Sequence, residues 1–454
     1  MKKTSQFTQQ EKNWILYDVA NSAYVLLTTA LFSFFLTHVS GIQETTPVWS
    51  DLNAVVTIIA VVLCPILGTF ADFGHKKKFF MIFAFTGMIS CALLSILGFI
   101  GNVSPIIFVL FAILYIITEI GYSSANVFYD SMLSDVTTDE KTHKVSANGY
   151  AWGYVGSCIP FIVCLILFVL AYMVFRGDVV SSSIVNGKES TIYEWPYLGL
   201  AFGFGCLITA AWWFFLTRPL LKTYEQVHFL PKPEKPIRET FKRLGHIFKD
   251  LAKNKKALFF IIGFFFYIDG VHTIIKMAMS IGNDLNFDFG PVQLVIALFV
   301  TQLVAFPCAI IFGKLASKYS CEKLLVVCIL GYTAIGVLAV LLREPWQFWV
   351  MAVGVGAFQG GIQAMSRSYF TKIIPAEKSG EFFGIYDIFG KSAAIVGLLL
   401  IGGLSKQFPL SVPILGMNVS LIPLPILFLI GLVFFLISIK MPAQTQDTEA
   451  PAKK

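Results

Sequence analysis

Five stretches of this chain set ionisable and amide side chains three or four residues apart within otherwise apolar sequence. Asp269, His272 and Lys276 recur at spacings of three and four, and Glu119, Ser123, Asn126 and Asp130 at four, three and four. Gln359, Gln363 and Arg367 recur at four and four, Asp387 and Lys391 stand four apart, and Asp18 and Asn21 three apart. On a helix each set falls on one face. An acid, an imidazole and a base on one stripe can exchange a proton near neutral pH. Mixed acids and a guanidinium can meet the two ends of a zwitterion. Each set also has a plainer reading. Asp387 and Lys391 form either a neutralised structural pair or a gate, Asp130 contacts an inner loop, and His272 is a hydrogen-bonded packing residue unless Asp269 moves its titration into the working range.

The elements that carry these stripes are set by composition. Of 454 residues 56% are apolar and only 13% charged, with mean hydropathy +0.74, against roughly 25% charge in a soluble domain. Apolar runs occur at about 13–40, 50–72, 79–101, 105–133, 145–175, 195–217, 257–281, 291–316, 322–342, 346–373, 381–405 and 413–440. Each reaches the ~20 residues a bilayer-spanning helix needs. The sequence thus predicts an all-α integral membrane protein with twelve transmembrane helices. Met1-Lys2-Lys3 resembles a signal-peptide start, but the run behind it is long, contains Asp18 and Asn21 and has no small-residue cleavage site, so a retained helix is expected. A charge at the bilayer centre costs roughly 2.5–3.5 kcal/mol even on the lenient insertion scale. The stripes must therefore face a cavity or a partner. Asp18, Asn21, Asn126, Asp269, His272, Gln363 and Arg367 are expected to converge on one midplane cavity, with Asp269, His272 and Glu119 as proton-coupling candidates.

Orientation follows from Lys and Arg in alternate loops. With the N-terminus inside, inner segments hold 27 of the 34 basic residues, and outer loops hold only Arg176, Lys188, Arg343 and Lys406. Lys276, Arg367 and Lys391 remain within spans. Both termini are expected in the cytoplasm of a chain in the inner (cytoplasmic) cell membrane. The organisation predicted is an N-terminal six-helix bundle over 1–217, a cytoplasmic linker over 218–256, a C-terminal six-helix bundle over 257–440 and a disordered tail over 441–454. Within the linker Ile237, Phe241, Leu244, Phe248 and Leu251 recur at helical spacing, with Arg238, Lys242, Arg243, Lys249 and Lys253 on the other face. That pattern predicts a basic amphipathic helix on the inner leaflet.

Several classes of function find no support. The sequence has no GxSxG, HExxH or GK[ST] phosphate loop, so no enzyme is expected. The eight cysteines form no CxxC pair and lie in or beside apolar runs, where they read as packing residues rather than metal ligands. No cofactor is expected. The net charge of +7 sits in membrane-flanking loops and implies no nucleic acid.

Gly68-Thr69-Phe70-Ala71-Asp72-Phe73-Gly74-His75-Lys76-Lys77-Lys78 and the second-half echo Gly313-Lys314-Leu315-Ala316-Ser317-Lys318-Tyr319 resemble the signature of the major facilitator superfamily. The spacing from Asp72 to Gly74 is one residue shorter than usual there, and Ser317 replaces the second-half aspartate. Longer segments resemble the vacuole-effluxer-like branch: Trp14 to Tyr24, Phe128 to Leu133, Tyr267 to Val271, Gly360 to Ser368, Glu381 to Asp387, and Gly390-Lys391. The resemblance implies the major facilitator fold, alternating access, a gating or structural role for Asp72, and cavity-lining first helices in each half, which carry Asp18 and Asp269. The branch's founding fungal members release amino acids from the vacuole. The expected function is secondary transport of a small polar or zwitterionic solute, with protons as coupling ion, lipids around it and a monomeric chain. Two other readings are a lipid or drug exporter of the same fold and a non-transporting receptor or scaffold.

Overall fold

The computed structural model describes residues 7–28, 32, 45–100, 105–170, 179–185, 188–193, 197–231, 249, 251–284, 291–408 and 417–442. Twelve long helices lie within these residues: α1 Gln9–Leu27, α2 Thr45–Ala71, α3 Lys76–Ile100, α4 Pro105–Ser131, α5 Thr142–Val169, α6 Leu198–Thr223, α7 Lys255–Asp284, α8 Pro291–Leu315, α9 Cys321–Val340, α10 Pro345–Ile373, α11 Ser379–Gln407 and α12 Pro423–Lys440. Nine of the described helices are long and apolar enough to cross a membrane. The other three are α1, which opens on the polar run Gln9–Asn13, α2 and α11.

Local sequence explains where several helices begin. Thr8 accepts the Glu11 amide while the Glu11 carboxylate accepts the Thr8 amide, a reciprocal cap that starts α1. Ser320 caps α9 through the Lys323 amide. Glu344 and Gln347 form a second reciprocal cap at α10, where Pro345 supplies a fixed φ at the first helical position.

Buried apolar side chains segregate into two large clusters. One is built from residues between Trp14 and Tyr224, the other almost wholly from residues between Leu251 and Phe435. These are the cores of two six-helix bundles, joined through α2 against α11 and through α5 against α8 and α10.

Two features differ from the sequence expectation. Strands β1 Val179–Val185 and β2 Lys188–Tyr193 pair antiparallel between α5 and α6, so the chain is not wholly helical. Alternating Val, Ser, Ile and Thr suits a short two-stranded ribbon where the apolar period is too brief for a span. Helix α6 runs on to Thr223, past the expected end at 217. The expected amphipathic linker helix falls largely on 232–248, and the tail from 443 onward, outside the described residues.

Candidate functional site

A cavity of about 340 Å3 lies between the two halves. It brings together Asp18 and Asn21 of α1, Asn126 and Asp130 of α4, His272 of α7, Gln359, Gln363 and Arg367 of α10, and Asp387 of α11. Helical periodicity alone aligns each pair; the packing of five helices aligns the stripes.

Arg367 is the centre of the floor. It is 1% exposed and reaches from α10 into the N-terminal half. Its Nη2 donates to Asp18 Oδ2 at 3.1 Å and to the Ser146 carbonyl at 3.1 Å, its Nη1 to Asp130 Oδ1 at 2.9 Å, and its Nε to Ser146 Oγ at 3.0 Å. The Trp14 and Tyr150 rings lie 4.7 and 4.1 Å from the guanidinium carbon, within cation–π range. A buried charge with this many partners is compensated rather than stranded. Close approach is possible because position 149 is glycine: a Cβ there would collide with Asp18 Oδ2. Asp130 therefore pairs with a guanidinium of the other half rather than with an inner loop.

The upper wall is made of amides and phenols. Asn21 Nδ2 donates to Asn126 Oδ1 at 2.8 Å, and the Tyr154 hydroxyl donates to Gln363 Oε1 at 2.6 Å across the halves. Gln302, Tyr122, Tyr129, Tyr150, Tyr154 and Tyr386 also line the cavity. Sequence reading missed Gln302, a lone amide in an apolar run with no stripe to flag it. Tyr150 and Tyr154 face the cavity, whereas Trp152 is 47% exposed beside Phe306.

Asp269 is a correction. It was expected on the cavity wall, but it is fully buried and faces α11, where its Oδ1 accepts the Gly397 amide at 3.0 Å and the Thr273 hydroxyl at 3.4 Å. The reason is angular: residues three apart on a helix differ by about 60°, enough to put His272 in the cavity and Asp269 against the neighbouring helix. Lys276 is exposed, outside the lining, within electrostatic range of Glu119 on α4 and of Asp269. Glu119 likewise lies outside the lining. Lys391 is on α11, but its side chain lies outside the described residues.

Below the floor, at the end of the bundle carrying the basic loops, the halves meet again. Helix α2 ends at Ala71, leaving Asp72 in the following turn, and its two oxygens accept the amides of Gly380 at 2.9 Å and Glu381 at 2.8 Å. A carboxylate of one half thus caps the first turn of α11 in the other. Gly68 and Gly380 are in backbone contact, with no room for a Cβ on either. Lys76, fully buried, donates to Ser379 Oγ at 2.7 Å and lies 3.6 Å from Asp72 and 3.5 Å from Asp135. Asp135 also accepts the Tyr224 hydroxyl at 2.6 Å and the His228 amide at 2.8 Å, which ties the start of the linker onto the same cluster. Burial raises the Asp72 carboxyl to about 6, against the opposing pull of Lys76 and the Glu381 and Gly380 amides.

A helical bundle in two halves, an ion cluster spanning them and a polar cavity define a multi-pass membrane transporter of the major facilitator type rather than an enzyme. A profile of the family described as "Vacuole effluxer Atg22 like" matches residues 41–447, and the chain belongs to that family. It is 40% identical over 436 residues to "Uncharacterized MFS-type transporter YxiO" of Bacillus subtilis (strain 168), covering 94% of each chain. It is 24% identical over 317 residues to "Autophagy-related protein 22" of Eremothecium gossypii, covering 64% of this chain and 59% of that one. Among solved structures, the major facilitator transporter FucP in the outward conformation superposes with a TM-score of 0.70 at 12% identity, covering 94% of this chain and 97% of that one. A bacterial homologue of the iron transporter ferroportin, outward-facing with soaked iron, superposes with a TM-score of 0.65 at 12% identity over 95% and 99%. At such identities these likenesses establish the fold.

Proposed function

We propose that the chain carries a small polar, amino-acid-like solute across the cell's inner membrane by alternating access, coupled to protons, as a monomer with both termini in the cytoplasm. The observation that supports this best is the Arg367 cluster: one guanidinium of the C-terminal half held by two carboxylates of the N-terminal half at the floor of a polar cavity. Such a bridge has two arrangements available, joined and parted, which is what a carrier needs to expose one site alternately to two sides. The amides of Asn21, Asn126 and Gln363 supply neutral hydrogen-bonding groups above it. A purely apolar lipid or drug would leave these amides and carboxylates without partners on binding.

For coupling, the group must meet water in at least one state. His272 does so directly, while Asp269, one turn away, reaches the cavity only if α7 and α11 separate at Gly397. Glu119, opposite Lys276, completes the titratable set on this side of the cavity.

The test is flux in proteoliposomes across a panel of metabolites, with and without an imposed pH gradient. Accumulation that depends on the gradient is expected, and His272→Gln should abolish it while leaving solute exchange at equal pH. Gradient-driven accumulation by His272→Gln at the parent level would move coupling to Asp269 or Glu119. No flux for any solute in the panel would end the transport reading. Reaction of an impermeant thiol reagent with a cysteine added at the N-terminus of intact cells would overturn the orientation.

A further inference from the structure

We propose that an open cavity between the start of α1 and the end of α6 binds the phosphate of an anionic phospholipid through Arg218 and Lys222. The site shares no residue with the solute cavity, and the inference does not depend on what the chain transports.

Depth in the bilayer follows from the sequence of α6. It carries no acid or base from Leu198 to Thr217, a stretch of about 30 Å at 1.5 Å per residue, which matches the hydrocarbon core. Arg218 therefore stands at the hydrocarbon boundary and Lys222 one turn beyond it, at the depth of lipid phosphates. Four residues apart, the two cations share a face. Both are exposed, and they line a cavity of about 420 Å3 with Gln9 and Asn13 of α1 and Phe215 and Pro219 of α6. Local chemistry holds the walls together. The Pro219 carbonyl accepts Asn13 Nδ2 at 3.2 Å, and Asn13 also donates to Thr223 Oγ1 at 2.9 Å and accepts Gln9 Nε2 at 3.0 Å. Pro219 itself withholds the N–H that a helix would give the Phe215 carbonyl.

The occupant must be anionic at one end and apolar at the other. Like charges one turn apart repel, and among the described residues neither Arg218 nor Lys222 forms an ion pair. The acid in the first turn of α1, Glu11, is buried and already accepts the Thr8 amide and the Thr137 hydroxyl. Glu225, three residues past Lys222, lies outside the lining. Towards the apolar run, Phe214 and Phe215 are 38% and 61% exposed. The Phe214 ring lies 5.7 Å from the Arg218 guanidinium carbon, which keeps the guanidinium at the edge of the apolar surface. A soluble phosphate would meet the cations and leave the rings bare. A phospholipid lays an acyl chain against Phe215 and its phosphate against the guanidinium and ammonium, both of which suit phosphate oxygens. A zwitterionic headgroup brings its own cation to a site that already holds two, so lipids of net negative charge are favoured.

Titration of lipid into the purified full chain in detergent, followed by native mass spectrometry and by melting temperature, tests the site. Dioleoylphosphatidylglycerol should bind the parent at least about tenfold more tightly than dioleoylphosphatidylcholine and raise its melting temperature. The double variant Arg218→Gln/Lys222→Gln should lose at least about tenfold of that affinity, since two cations at headgroup depth are gone. Both side chains are exposed, so the lipid-free double variant should melt with the parent. Lys323→Gln/Lys440→Gln removes two exposed cations from α9 and α12 instead and should bind phosphatidylglycerol as the parent does. Equal losses in the two double variants would reveal a diffuse basic surface and overturn the inference, as would undiminished binding by Arg218→Gln/Lys222→Gln. Equal binding of the two lipids by the parent overturns it as well. Displacement of phosphatidylglycerol by an equal concentration of glycerophosphate would make a soluble phosphate the ligand and overturn the lipid assignment. These last two measurements need only the parent, so they decide the matter even if a variant fails to fold.

Discussion

The two halves are joined twice, and the joints are built on different physics. At the cavity floor one long side chain crosses the interface and exchanges charge with Asp18 and Asp130 among aromatic rings. At the basic end the crossing is short: Asp72 takes two backbone amides of α11 while Gly68 and Gly380 touch. The floor joint borders the cavity and is sensitive to the charge of what occupies it. The lower joint lies away from the cavity and is sensitive to shape, because a helix end can be capped only when it sits within hydrogen-bond reach. A carrier needs both properties, one to sense its load and one to keep the far side shut.

Arg367→Met should break the comparison most severely. It leaves Asp18 and Asp130 buried with no cation, a loss of about 3–5 kcal/mol by analogy with other buried pairs stripped of one partner, so a fall in melting temperature and no measurable flux are expected. Arg367→Lys keeps the charge without the planar fork and should recover part of the stability but little flux. Parent-like flux in Arg367→Met would show that the floor joint is dispensable.

Asp72→Asn acts on the lower joint alone. The amide can still accept one N–H, so the cost is that of a weakened cap, about 0.5–2 kcal/mol. Labelling of a cysteine placed by Ser134→Cys, beside Ser379, should rise about 2- to 30-fold as the joint spends more time open. The parent should also respond to pH. In the closed joint the Asp72 carboxyl is raised from its ordinary 3.8 to about 6, and opening returns it to water and towards the ordinary value. The closed form therefore binds the proton more tightly. Its extra stability is complete below the ordinary value and is lost as pH rises through about 6. Labelling, normalised to denatured protein, should fall as pH is lowered from about 7 to 5 in the parent and stay flat in Asp72→Asn. A rise on acidification would refute the sign.

The smallest effect expected is that of His228→Ala. The His228 side chain is 36% exposed and its Nδ1 lies 3.0 Å from Asp135, while the His228 backbone amide keeps its own bond to the same carboxylate. Removing a partly solvated contact should cost at most about 1 kcal/mol and raise Ser134→Cys labelling less than Asp72→Asn does. A larger rise would make the linker, rather than Asp72, the main fastener of the lower joint.

Much of this molecule was legible from one dimension. Twelve apolar runs announced the helices because water tolerates neither their composition nor their length. The three- and four-residue polar stripes announced the cavity because charge inside a bilayer must be turned away from lipid. The Gly68–Lys78 segment marked the lower joint, although nothing in it names Gly380 and Glu381 as the groups Asp72 would hold. Tertiary packing decided the rest. Asp269 and His272 sit on one stripe, yet a rotation of about 60° sends one to Gly397 and the other to the cavity, and only the neighbouring helix determines which. Gln302 entered the site from a run with no polar rhythm, since a single amide acquires meaning only from what faces it. Arg367 was visible as an intramembrane charge, but its partners Asp18 and Asp130 lie more than two hundred residues away in sequence. Sequence spacing reports neighbours along a helix; partners across an interface are set by how helices from two halves meet.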